Sequence, residues 1–120
     1  METQTVEKSI ELYFEAWNKK GVENIKAALE KCWIADGSYT DPRYEPMRGL
    51  DKLAEVLQAS QDKFPGRILE VASKIDYHHG SGRYVWRFTQ PGGATLEGVD
   101  YFEFNSENRI TRLVSFFGKI

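Results

Sequence analysis

The sequence holds one cysteine, Cys32, so it forms no intrachain disulfide and offers no thiolate cluster for zinc. Excess positive charge is missing too: 16 Lys and Arg stand against 18 Asp and Glu, a net charge of -2. With no segment that concentrates cations, there is no electrostatic case for a nucleic-acid partner. No apolar run is long enough to span a bilayer, and the acidic, polar opening METQTVEKSIEL is unlike a signal peptide. The expectation is a protein with no membrane partner, cytoplasmic by default. Only two histidines occur, His78 and His79. As neighbours in a strand they would face opposite ways, so no metal site is expected. Ser-His-Asp spacing, a phosphate loop and a dinucleotide fingerprint are also absent, and no cofactor is expected. Cys32, beside Trp33, reads as a packed thiol.

What remains is an ordinary globular composition, 41% hydrophobic and 28% charged over 120 residues, which fits one domain spanning residues 1–120. Aromatic residues, at 13%, are plentiful enough to serve as core filler or as the wall of a pocket for an apolar ligand. Val6, Ile10, Tyr13, Phe14 and Trp17 recur at helical spacing, and Lys19-Lys20-Gly21 supplies a helix end. Val22, Ile25, Leu29 and Trp33 predict a second, shorter helix. A short extended piece, Ser38 to Asp41, is stopped by Pro42. Leu53, Val56, Leu57, Ser60 and Phe64 predict a third helix, closed by Pro65-Gly66.

After Gly66 the period changes from helical to alternating. Arg67 to His79 reads as one long strand that bends or bulges, followed by strands around Tyr84-Trp86-Phe88, Leu96–Phe104 and Arg109–Gly118. Short turns between them predict antiparallel neighbours. The fold class is α+β, with helices first, then a four-strand meander, and the helices packed on one face of the sheet.

One stretch carries chemistry. In LEGVDYFEF, alternation puts Leu96, Gly98, Asp100, Phe102 and Phe104 on one face and the glutamates on the other. Asp100 thus falls in the apolar phase. Three readings are open. Gly98 marks a bulge that returns Asp100 to solvent; Asp100 is a buried, permanently bonded structural carboxylate; or it hangs in a hollow where desolvation raises its pKa and makes it an acid-base group. SYTDP places a second carboxylate, Asp41, at a strand end with Tyr39 on the same face. Asp-Pro is also a common turn opener. Tyr13 would add a phenol, or simply fill the core.

The order YFEAWNKKGVENI, SYTDP, RGLDKL, FPG and GVDYFEFNSENRITRLVSFFG resembles the SnoaL-like branch of the nuclear transport factor 2-like superfamily, over about Ile10 to Gly118. The resemblance implies a cone, three helices closing over a curved mixed sheet with an internal, largely apolar cavity, and often a homodimer through the outer sheet face. Within that superfamily the ketosteroid isomerases are similar in their polar residues. That similarity implies Asp41 as general base, with Tyr13 and a protonated Asp100 as donors to an enolate-like oxygen. The expected ligand-binding wall is Trp17, Trp33, Tyr39, Trp86, Phe102 and Phe116. The tryptophans would shrink or reshape the cavity, which argues against a steroid. The expected function is a cofactor-independent isomerase, cyclase or dehydratase acting on a small apolar carbonyl compound. The alternatives are a binder of such molecules, or a dimeric interaction domain with a filled interior.

Overall fold

A computed structural model describes residues 3–118 of the chain. Helix α1, Val6–Trp17, starts where the Thr5 hydroxyl accepts a hydrogen bond from the Lys8 N–H at 3.0 Å, satisfying one orphan donor of the first turn. Its buried residues Ile10, Tyr13, Phe14 and Trp17 form the apolar stripe read from the sequence. Helix α2 covers Val22–Leu29 and helix α3 covers Leu50–Lys63; α2 packs on both α1 and α3. Among the described residues, no helix is long and apolar enough to cross a membrane.

Trp33 does not continue α2. It opens strand β1, Trp33–Asp41, because the Cys32 carbonyl and the Trp33 backbone are captured by Ile110 in a parallel pairing with the last strand. A spacing of four from Leu29 fits a helix, but distant pairing overrides that local period. Strand β2, Tyr44–Arg48, was not expected, and it contains Pro46. It lies at the sheet edge, where a missing N–H costs no ladder bond.

The segment expected as one bent strand is two: β3, Ile68–Val71, and β4, Asp76–His78, both paired with β5, Ser81–Thr89. Strands β6, Thr95–Phe104, and β7, Ile110–Phe117, complete an antiparallel β5-β6-β7 meander. The four-strand meander is therefore part of a seven-stranded mixed sheet, ordered β2-β1-β7-β6-β5-β3 with β4 beside β5. The α+β class and the cone of helices over sheet stand as expected.

The Gly98 bulge does not occur. Pairing runs unbroken through Gly98 on both sides of β6, so Gly98, Asp100 and Phe102 share the buried face. Glycine is needed there for space: a Cβ would overlap the Phe116 carbonyl oxygen and the Trp86 indole. Gly98→Ala is expected to cost about 1–3 kcal/mol through overpacking. An unchanged midpoint in urea unfolding would show that Trp86 does not lie against this backbone.

Candidate active site

Between α1, the C-terminal end of α3 and the inner face of β5-β6-β7 lies a pocket of about 250 Å³. Its volume is at or below the small end of the usual range for ligand sites, roughly 300–1,000 Å³. Of the residues singled out in the sequence, Tyr13, Trp17, Tyr39, Trp86 and Asp100 line it. Four others do not: Asp41 and three aromatic residues. Trp33 is core, packed on the Tyr13 ring at 5.6 Å and covering Gly37. Phe102 has the inward strand phase but is sealed between Tyr84 and Phe104. Phe116 points to the outer face and is half exposed, while its neighbour Phe117 is the one in the pocket wall.

Asp100 is buried in the wall, flanked across the sheet by Tyr84 on β5 and Ser115 on β7. The Tyr84 hydroxyl donates to Oδ2 at 2.5 Å; Oδ1 is buried and has no hydrogen-bond partner among the described residues. Burial pushes its pKa up from 3.8 to about 6; the nearby polar hydrogens of Ser115, Tyr84 and Trp86 hold it back, and the Asp41 charge adds to the rise. The Trp86 indole N–H is also buried without a partner. Such orphaned groups are uncommon in a folded interior, and two of them, on Asp100 and Trp86, belong to residues of this one pocket wall. Tyr13 is held well above its usual pKa by burial and then by Asp100, so its phenol stays neutral at working pH.

Asp41 is not among the lining residues; it sits behind two that are, Tyr39 and Arg43. The Tyr39 hydroxyl donates to Oδ2 at 2.7 Å, the Arg43 guanidinium to both oxygens at 2.9 and 3.3 Å, and the Arg43 backbone N–H to Oδ1 at 2.8 Å. Burial alone would raise this carboxyl, but the Arg43 and Tyr39 bonds outweigh it and hold the pKa below its usual value. The Asp-Pro turn opener is what places Arg43: Pro42 and Arg43 form the turn between β1 and β2.

Tyr84, Ser115 and Arg43 were missed as functional candidates. Tyr84 shares the strand phase of Trp86, a signal that was available; which residue stands opposite Asp100 depends on register, which was not. The histidines are exposed as expected, yet their Nδ1 atoms lie 3.0 Å apart because His79 turns into left-handed backbone, φ 48°. Among the described residues, no cluster of three or more His, Cys, Asp or Glu is placed to hold a metal. Cys32 is fully buried, and burial pushes its thiol up to about 12.

Residues 10–113 match the family model described as a SnoaL-like domain. The fold superposes on a candidate isomerase of the SnoaL-like family from Agrobacterium tumefaciens with a TM-score of 0.83 and 28% identity, covering 93% of this chain and 96% of that one. A candidate SnoaL-like polyketide cyclase from a Jannaschia species aligns with a TM-score of 0.75 and 12% identity, over 93% of this chain and 84% of the other, which is a likeness of fold alone. No curated protein is similar enough in sequence to match.

Proposed function

The chain belongs to the SnoaL-like family of the nuclear transport factor 2-like superfamily, and from that premise and the pocket geometry we propose that it catalyses proton transfer on a small, largely apolar carbonyl compound. Isomerisation, cyclisation and dehydration all begin with that step. The observation that carries the reading is the free Oδ1 of Asp100, a buried carboxyl oxygen in a pocket wall with a pKa near neutrality. A base poised near the working pH transfers protons most effectively. Asp100 takes the proton α to the substrate carbonyl, the C–H electron pair moves to the carbonyl oxygen, and the neutral Tyr13 phenol donates a hydrogen bond to the enolate. The same carboxyl then returns the proton at another carbon.

This assignment differs from the one the ketosteroid isomerase resemblance implies. A carboxylate saturated by Arg43 and Tyr39 is a weak base, so Asp41 is given a structural role, fixing Arg43 and Tyr39 in the pocket wall. The assay is deuterium exchange at α-carbons of small enolisable ketones in D2O, followed by proton NMR. Asp41→Asn is expected to lose less than about tenfold in exchange rate, because removing a general base costs about 10²–10⁴-fold. A loss in that larger range would restore Asp41 as the base. Saturation of Asp41 also favours a second reading, a non-catalytic binder of the same molecules. Tight binding by the wild-type protein with no exchange in any ketone would select it.

A further inference from the structure

The pocket has a second polar pole, on the helix side. Ser60 and Lys63 line it from the last turn of α3, where positions three apart share one helix face, and Phe64 lines it from the residue that follows. Ser60 is buried, and its hydroxyl oxygen accepts a hydrogen bond from Arg67 Nε at 3.1 Å. Guanidinium nitrogens only donate, so this bond occupies a lone pair of Ser60 Oγ and leaves its hydrogen to point elsewhere. No hydrogen bond donated by that hydroxyl forms among the described residues. Ser60 therefore meets the pocket as an oriented donor.

Arg67 itself is buried, with 3% of its surface exposed, and has no carboxylate partner among the described residues. It donates to the Trp17 carbonyl at 2.6 Å and to Asn18 Oδ1 at 3.4 Å, its guanidinium lies 5.6 Å from the Trp17 ring, and its Nη2 is buried without a partner. Burial without a countercharge draws its pKa down to about 10, so it remains a cation at neutral pH. The charge stands at the C-terminal ends of α1 and α3, whose carbonyl dipoles offset part of it. Lys63 adds a second cation, its Nζ 5.5 Å from the Phe64 ring and in no ion pair among the described residues. Of the charged groups lining the pocket, Arg43 is neutralised by Asp41, so Lys63 and Asp100 remain as opposite poles.

We infer that Ser60 and Lys63 form a carboxylate-binding subsite, with Arg67 as a positioning residue behind Ser60, so that the ligand is a small apolar acid. Resting on the proposed proton transfer, the substrate class becomes a keto acid whose carboxylate meets α3 while its enolisable carbonyl meets Asp100 and Tyr13. A neutral pole would recognise an ester equally well. A cation and an oriented hydroxyl favour the ionised oxygen, since hydrogen bonds to charged groups are roughly twice as strong as neutral ones.

The test compares phenylacetate with methyl phenylacetate, both small enough for the pocket, by quenching of tryptophan fluorescence. The wild-type protein is expected to bind the acid at least about tenfold more tightly than the ester, because its ionised oxygens accept charge-assisted bonds that an ester cannot. Raising salt is expected to narrow the gap. Ser60→Ala and Lys63→Met each lower acid affinity by a larger factor than ester affinity, and so reduce the acid preference. Arg67→Lys, which keeps the charge but not the fork, reduces the preference in the same way. Lys63 is exposed, so its variant reports even where Ser60→Ala disturbs folding. Equal affinity for acid and ester, a preference that survives both Ser60→Ala and Lys63→Met, or no binding of either probe at millimolar concentration overturns the inference. A carboxylate preference without α-proton exchange would retire the catalytic reading and leave this subsite standing; exchange without the preference would do the reverse.

Discussion

Asp100→Asn is expected to lower α-proton exchange by about 10²–10⁴-fold and, at pH 8, to make the protein more stable than the wild type. The first effect follows from replacing the carboxylate, whose Oδ1 is the only buried carboxyl oxygen without a partner among the described residues, with an amide that cannot take up the proton. The second follows from linkage. Folding moves the Asp100 pKa from 3.8 up to about 6, so the folded state holds this proton more tightly than the unfolded state does. Below pH 3.8 both states are protonated and this contribution to stability is fully present. Between that value and about 6 it is lost as pH rises, and above 6 the folded protein carries a desolvated charge. At about 1.4 kcal/mol per pKa unit, the full loss is about 3 kcal/mol, an upper limit for what asparagine recovers.

Urea unfolding of both proteins at pH 4.5 and pH 8 separates these claims. The variant's advantage should grow between the two values. Asp41 titrates in the opposite sense, contributing stability that is lost as pH falls; it is present in both proteins and enters the difference only through its charge on Asp100. An advantage that is absent at pH 8 would mean Asp100 is not desolvated. The wild-type exchange rate should itself rise with pH through about 6 and then level, as expected for a base. A rate that falls above 6 would instead give Asp100 the protonated donor role found in the ketosteroid isomerase resemblance. Stability given up for a reactive group is a recurrent trade in active sites.

The legible part of this protein was local. Helix stripes such as Ile10-Tyr13-Phe14-Trp17 and the alternation of β5 and β6 follow from side-chain direction, which the chain sets for itself. That was enough to put Tyr13 and Trp86 on inward faces and Asp100 in the apolar phase, with a bulge at Gly98 left for the pairing to decide. What the sequence withheld was everything decided by pairing across long separations. The parallel β1–β7 contact turned Trp33 from a helix end into a strand start, and edge position let Pro46 sit in β2. Register made Tyr84 and Ser115 the neighbours of Asp100, and a turn geometry brought Arg43 back onto Asp41. Phe116 and Phe117 show how narrow the margin is. One residue of phase separates the pocket wall from the outer face, and the aromatic pair gives no local hint of which goes where.

The same distinction between wall and core predicts opposite outcomes for two tryptophans. Trp33→Ala is expected to destabilise the fold by about 3–5 kcal/mol, the usual cost of emptying a large buried aromatic site. Trp33 is 2% exposed, bears on the Tyr13 ring, and covers Gly37 so closely that a Cβ there would lie 2.5 Å from its ring. Nothing but its own side chain fills that space, and a domain with a total stability of about 5–15 kcal/mol loses about a fifth or more. Trp17→Ala borders space that is already open, so it enlarges the pocket at a smaller cost in stability and shifts ligand size preference toward bulkier molecules. Thermal unfolding and binding of ligands graded in size measure both effects. Equal destabilisation by the two substitutions, with no change in size preference for Trp17→Ala, would mean that Trp17 is core and that the cavity is not bounded as described. A stable Trp33→Ala protein that accepts larger ligands would instead extend the cavity past Tyr13 to the start of β1.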